Sequence, residues 1–269
     1  MEKLYLWDNE VPYYDESYGQ EKPYLTPFIV SKNESGKLPG CVIVCPGGAY
    51  RFRAEHEGDP ICSFFNSCGI SAFTLGYRCY PYNYSAIIAD IKRAVRYVRY
   101  HADSFGINPD KIAVLGFSAG GNLALLGATQ FDYGLETGDE IDRVSCRPDA
   151  AVLSYALISL TDDITHTDSR NVLIGHLNRD EQRKMIEKLS GEKAVKEDTP
   201  PMFLWHTSED TSVLPEHSLR MASALSSKKI PFELHIFQDG EHGLGLAEDV
   251  PGTREWSRLA ADWLHRLGF

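Results

Sequence analysis

Lys111-Ile112-Ala113-Val114-Leu115-Gly116-Phe117-Ser118-Ala119-Gly120-Gly121-Asn122-Leu123-Ala124-Leu125-Leu126 is the stretch whose reading decides the fold. Its first part, Lys111–Gly116, is an apolar run of strand length, and Ala119–Thr129 reads as an apolar helix. Between them Ser118 has glycine two positions before it and two positions after it. A tight strand-to-helix turn crowds any Cβ at those two positions, and glycine removes the crowding. The spacing therefore presents the Ser118 hydroxyl at the carboxyl end of a strand, as a nucleophile would stand. The alternative is a small-residue helix start in which Ser118 only packs, and the flanking strand and helix weigh against it.

On either side, strand runs alternate with helical patterns. Leu25–Val30, Gly40–Cys45, Ser71–Leu75, Ala150–Ser154, Met202–Trp205 and Phe232–Phe237 read as strands. Pro60–Ser67, Tyr84–His101, Pro215–Ser226 and Arg254–Leu267 read as helices. Within Tyr84–His101, Ile87, Ile88, Ile91, Ala94, Val95 and Val98 recur at helical spacing. Such alternation predicts an α/β fold, a mostly parallel central sheet with helices on both faces. No repeat, low-complexity stretch or Pro/Gly/Ser linker divides the chain, so a single domain spanning 1–269 is expected. The segment Tyr155–Thr199 shows no strand pattern and holds a charged helix near Arg179–Leu189. An excursion that follows the carboxyl end of a strand lies where α/β enzymes bind ligands. It is expected to be a cap or lid-like insertion that helps to enclose a substrate.

Charge and composition exclude other classes. The chain of 269 residues carries 27 Lys and Arg against 38 Asp and Glu, a net charge of −11. With no basic run, neither nucleic acid nor an anionic membrane is an expected partner. The longest apolar runs, such as Cys41–Cys45, are strand-sized and too short to span a bilayer. The opening Met1–Asp8 lacks a long apolar segment, so a cytoplasmic location is expected. The oligomeric state is left open, a homo-oligomer included. None of the six cysteines (Cys41, Cys45, Cys62, Cys68, Cys79 and Cys146) forms a Cys-x-x-Cys pair, so reduced structural thiols and no metal site are expected.

A serine hydroxyl is a poor nucleophile until a base takes its proton, so Ser118 requires a histidine and an orienting carboxylate. In the α/β-hydrolases, which this elbow resembles, these follow the serine in the order acid, then histidine. Asp210 lies just past strand Met202–Trp205, and His242 just past strand Phe232–Phe237, in Asp239-Gly240-Glu241-His242-Gly243. Both would emerge on the same sheet edge as Ser118. Glu209, Asp162 and Asp163 are alternative acids. His206 reads as a satisfied core residue, His166, His176 and His217 as solvated, and His235 as a strand residue. The turn Pro46-Gly47-Gly48-Ala49-Tyr50 follows strand Gly40–Cys45 and offers backbone N–H groups. Gly48 and Ala49, with Ala119 from the helix start, are the expected oxyanion-hole donors. A plain Pro-Gly-Gly turn is the alternative. Tyr50, Arg51, Arg53 and Glu57 read as readily as a solvated loop and helix start as sugar contacts, so no binding role is assigned to them. No metal or organic cofactor is needed for this chemistry.

These segments, together with Gly76-Tyr77-Arg78 and Asp198-Thr199-Pro200-Pro201, run through most of the chain and resemble the α/β-hydrolase superfamily. The resemblance lies in the carboxylesterase branch related to hormone-sensitive lipase. More narrowly it is to bacterial acetyl esterases of the acetyl xylan esterase or sugar hydrolase group. It implies an α/β-hydrolase fold and a serine carboxylic-ester hydrolase working through an acyl-enzyme on Ser118. The implied partner is a small-molecule ester, an acetylated sugar or xylo-oligosaccharide. An amidase of the same fold, similar to kynurenine formamidase, stays open, as does a non-catalytic binding protein. The complete triad in order weighs against the latter. Three departures from the pattern stand out. Ala49 replaces a third glycine, which leaves the N–H but narrows the acyl pocket. The segment Thr211–Pro215 is one residue longer than usual, and Asn122 stands where a histidine is more familiar.

Overall fold

The computed structural model describes residues 2–30 and 37–269; Met1 and residues 31–36 of the expected 1–269 domain lie outside the described residues. In chain order the elements are β1 (Leu4–Tyr5), β2 (Tyr24–Phe28), β3 (Cys41–Cys45), α1 (Asp59–Ser67), β4 (Ser71–Gly76), α2 (Tyr84–Tyr100) and α3 (Ala102–Phe105). They continue with β5 (Ile112–Phe117), α4 (Ser118–Thr129), β6 (Ala150–Ser154), α5 (Thr167–Ile174), α6 (Arg179–Leu189) and α7 (Gly191–Ala194). The last are β7 (Met202–Thr207), α8 (Glu216–Ser227), β8 (Phe232–Phe237) and α9 (Trp256–Arg266). The strands form one eight-stranded sheet in the order β1-β2-β4-β3-β5-β6-β7-β8. From β4 to β8 across the sheet every neighbouring pair is parallel, and only β1–β2 and β2–β4 are antiparallel.

A parallel strand is covered on both faces and reads as a continuous apolar run. All of Cys41-Val42-Ile43-Val44-Cys45 is accordingly buried. Period-two alternation sends Cys41, Ile43 and Cys45 into a core with residues of α2, α4 and α8. Val42 and Val44 enter the opposite core, with residues of α1 and α9. The cysteines are all free, and burial pushes the Cys41 and Cys45 thiols well above their ordinary range. They behave as small hydrophobes.

The segment between α4 and β6 is pinned by arginines spaced along α2. Arg93 pairs with Asp142 at 2.9 Å, Arg96 with Asp132, and Arg99 with Asp149 at 2.8 Å. Three-residue spacing keeps these guanidinium groups on neighbouring parts of one helix face.

The structure adds β1, α3, α5 and α7, four elements that the hydrophobic pattern does not announce. β1 has only two residues and no room for alternation. α5 buries Ser169, Val172, Leu173 and Ile174, crowded toward its last turns instead of spread as a stripe, and its cap is a histidine side chain. The expected excursion is thus three helices, α5 to α7, between β6 and β7. Among the described residues no helix is long and apolar enough to cross a membrane.

Candidate active site

The parallel strands all point one way, so the loops after β3, β5, β6, β7 and β8 share one edge of the sheet. Ser118 follows β5 there with φ +52°, in the left-handed region that costs a non-glycine residue roughly 1–2 kcal/mol. A Cβ on Gly116 would collide with the Gly120 carbonyl oxygen, and one on Gly120 with the carbonyls of Cys45 and Pro46. The two glycines let the elbow close against itself and against the end of β3.

His242 Nε2 lies 2.8 Å from Ser118 Oγ, and its Nδ1 lies 2.6 Å from Asp210 Oδ2. An ionised carboxylate only accepts, so Nδ1 carries the proton and Nε2 is free to accept from the serine. Asp210 Oδ1 accepts the N–H groups of Ser212 and Val213, both at 2.9 Å. The longer segment after the acid therefore wraps its carboxylate. His206, fully buried at the end of β7, stands 3.3 Å from Asp210 Oδ2 and contacts the Val213 carbonyl at 2.7 Å and Ser218 Oγ at 2.9 Å. It is a satisfied core residue, and it also flanks the acid. Burial pushes Asp210 upward, but the bonds from His206, His242 and the Val213 N–H outweigh that and hold it well below the carboxylate range.

The other acidic candidates point elsewhere. Glu209 accepts the Gly240 N–H at 2.8 Å and so fixes the start of the histidine loop. Asp162 and Asp163 pair with Arg170 and Arg220.

The loop after β3 is held away from helical or sheet pairing. Ala49 and Tyr50 have φ of +53° and +60°, and Gly48 has φ +118°. Among the described residues the Gly48 and Ala49 N–H groups donate to no protein acceptor, and Ala119 N–H belongs to the first turn of α4, which has no intrahelical partner. The Gly47 N–H, by contrast, donates to Glu57 Oε2 at 2.7 Å. Tyr77 Oη donates to the Pro46 carbonyl at 2.6 Å. Tyr50 Oη donates to Asn122 Oδ1 at 2.8 Å, and Asn122 Nδ2 to the Leu157 carbonyl at 2.9 Å. That gives the unfamiliar Asn122 a structural reason.

Several residues read as solvated are not. Tyr50 is buried, and Glu57 is only 2% exposed. Its Oε1 accepts the Tyr155 hydroxyl at 2.5 Å. Tyr155, with φ +36°, sets its ring 5.0 Å from that of His242 and accepts the Gly245 N–H at 2.9 Å. His217 is fully buried; its Nδ1 accepts the Ile158 and Ser159 N–H groups at 3.2 and 3.0 Å. His166 is half-buried, bonded to Ser169 Oγ at 2.9 Å, and burial lowers it from the ordinary histidine range. The partners of Tyr50, Glu57 and His217 lie far along the chain, so polarity of the local stretch gives no sign of them. Arg51 is the exposed member of this region. It pairs with Asp168 of α5, Nε to Oδ2 at 2.6 Å, and so ties the loop after β3 to the helical excursion.

Among the described residues no three His, Cys, Asp or Glu side chains gather as a metal would require. The arrangement offers a serine poised to lose its proton to an oriented imidazole, beside free backbone donors. That chemistry is acyl transfer.

Comparison with known proteins places this geometry. A solved acetyl ester-xyloside bifunctional hydrolase of Caldicellulosiruptor lactoaceticus is 45% identical, with a TM-score of 0.93 over 100% of this chain and 97% of the other. A solved sugar hydrolase of Lactococcus lactis is 26% identical, with a TM-score of 0.73 over 92% of this chain and 95% of that one. Endo-1,4-beta-xylanase B of Butyrivibrio fibrisolvens is 35% identical across 91% of this chain, and an acetylxylan esterase of Xylanibacter ruminicola is 28% identical across 89%. The chain spans only 38% and 46% of the lengths of these last two proteins. The sequence profile BD-FAE matches residues 28–225. The chain belongs to the BD-FAE family of α/β-hydrolases.

Proposed function

We propose that this protein is a serine carboxylic-ester hydrolase that removes short acyl groups, acetyl above all, from acetylated xylo-oligosaccharides or related sugars. The observation that carries the reading is the continuous chain from Ser118 Oγ through His242 to Asp210, at 2.8 and 2.6 Å. His242 Nε2 takes the Ser118 proton as Oγ attacks the ester carbonyl. The carbonyl oxygen becomes an oxyanion and accepts from the Gly48, Ala49 and Ala119 N–H groups, which are strongest where negative charge develops. Imidazolium then gives its proton to the departing alcohol, leaving an acyl-serine. Water, deprotonated by His242, attacks that ester, and collapse of the second intermediate releases the acid and returns the proton to Ser118. Asp210 keeps the proton on Nδ1 throughout.

Two features support a short acyl group and a sugar. The Ala49 methyl takes up room that a third glycine in this loop would leave open. A groove of about 440 Å³, lined by Tyr80, Asn83, Asn171, His176 and Gln182 among others, offers amide, imidazole and aromatic groups suited to hydroxyl-rich ligands. It adjoins the loop after β3, because the Tyr80 N–H bonds the Tyr50 carbonyl at 2.7 Å and Arg51 packs on the Tyr80 ring. The excursion 155–199 would wall this side of the site as a cap within one domain. The names of the relatives, which include an acetylxylan esterase and an acetyl ester-xyloside hydrolase, agree with the substrate class.

The test is acetate release from acetylated xylo-oligosaccharides, beside hydrolysis of p-nitrophenyl acetate and octanoate, for the wild type and Ser118→Ala. Release from sugar and short aryl ester, lost in the variant, is the expected result. Activity on the aryl ester alone would discard the sugar, and inactivity on all esters with activity on a formamide would replace esterase by amidase.

A further inference from the structure

Glu57 and Tyr155 form a buried bridge between the two loops that the reaction uses. Glu57 sits ten residues past Gly47, and its carboxylate reaches back to the Gly47 N–H at 2.7 Å. The other oxygen takes the hydroxyl of Tyr155, 98 residues away, at 2.5 Å. That hydroxyl oxygen in turn accepts from Gly245 N–H, 90 residues further, at 2.9 Å. Next to Glu57, the His56 ring contacts the Gly243 carbonyl at 2.9 Å. One end of the bridge thus holds the Pro46–Gly47 peptide, one residue before Gly48. The other end holds the chain on the C-terminal side of His242, against whose ring the Tyr155 ring is packed.

A buried carboxylate is expensive unless its lone pairs are satisfied, and here the N–H and O–H partners come from segments that carry the reaction. A Cβ on Gly47 would lie 2.6 Å from Glu57 Oε2 and 2.9 Å from the Phe117 carbonyl oxygen, so glycine lets the carboxylate approach this closely. Tyr155 also holds a left-handed backbone, φ +36°, strain that persists only where the surroundings impose it.

We propose that Glu57 and Tyr155 are positioning residues, one hydrogen-bonded bridge that keeps the oxyanion loop and the histidine loop in register for catalysis. The inference rests on the serine-esterase reading. It predicts that the bridge acts on the transition state and not on substrate binding, because both side chains are buried and their hydrogen bonds go to protein groups. Misplacing a catalytic loop by even an ångström costs on the order of 100-fold.

Glu57→Gln keeps shape and removes the acceptor for one of the two donors; Tyr155→Phe keeps the ring and removes the bridging hydroxyl. With p-nitrophenyl acetate, each is expected to lower kcat by about 10- to 100-fold with KM within about twofold. Affinity for a trifluoromethyl ketone, whose hemiketal oxyanion mimics the tetrahedral intermediate, should fall by the same factor as kcat/KM. The double variant should be no worse than the weaker single one, since both break one bridge. Folded variants with unchanged kcat, losses confined to KM, or losses that multiply in the double variant would overturn the proposal. Should Glu57→Gln melt out, Tyr155→Phe decides alone. Fluorophosphonate labelling of the wild type separates the two levels. An unlabelled wild type removes the esterase reading itself, whereas a labelled wild type with unimpaired variants removes only the bridge.

Discussion

At Asp210 two opposing effects meet, and their balance sets what the residue can do. Burial alone would raise the carboxyl and disfavour the charged form that holds an imidazolium. Contacts with His206, His242 and the N–H groups of Ser212 and Val213 reverse that direction. Asp210 therefore stays ionised through the whole working pH range, and the His242 tautomer is fixed. Asp210→Asn keeps an oxygen for the Ser212 and Val213 donors but turns an amide toward His242. The expected result is a loss of roughly 10⁴-fold in kcat, with the thermal melting curve little changed; a loss under about tenfold would remove Asp210 from its role. The residues that make this site legible in the sequence are those whose reason is local. Gly116 and Gly120 announce the elbow because the clash they avoid lies within a single turn and against the end of β3. Glu57 had no such signal, since its partner Tyr155 is 98 residues away and a charged residue after a glycine loop reads as solvated.

At the scale of elements, the parallel strands were readable because covering both faces demands unbroken apolar runs. α2 was readable because its apolar residues keep one stripe. α5 was not, since its buried residues gather at one end and a histidine takes the place of the usual capping side chain. The antiparallel β1–β2 edge was hidden for another reason, a strand of two residues having no period to detect. The join between α8 and the excursion rests on His217, whose Nδ1 accepts two backbone N–H groups and whose Nε2 contacts the Ile164 carbonyl at 3.0 Å. Burial lowers it from the ordinary 6.5 to about 4. The unfolded chain then binds a proton that the folded chain refuses. Stability from this residue is complete above about pH 6.5 and is lost progressively as the pH falls toward 4, by about 3 kcal/mol in all. Urea unfolding at pH 7 and at pH 4 should show that loss in the wild type and a smaller fall in His217→Gln. Equal falls in both proteins would show that His217 is not the sensor.

Across the whole molecule, the sheet solves one problem: it brings residues from five loops to one edge. Ser118 and His242 are 124 positions apart and His242 and Asp210 are 32 apart, yet each pair is in hydrogen-bond contact. The net charge of −11 acts on the same scale. An acidic molecule repels anionic substrates over a Debye length of roughly 10 Å at 0.1 M salt. Acetylated oligosaccharides bearing uronic acids should therefore show a kcat/KM that rises with ionic strength, whereas neutral acetylated oligosaccharides should not. Parallel salt profiles for the two substrates would exclude a role for the overall field.

The most direct test of the central claim is the site and stoichiometry of labelling by a fluorophosphonate, mapped by peptide mass spectrometry in the wild type and in His242→Ala. The account predicts one equivalent, on Ser118, formed far more slowly when the imidazole is removed. Absence of labelling on the folded wild type, attachment to another residue, or an equal rate without His242 would contradict it.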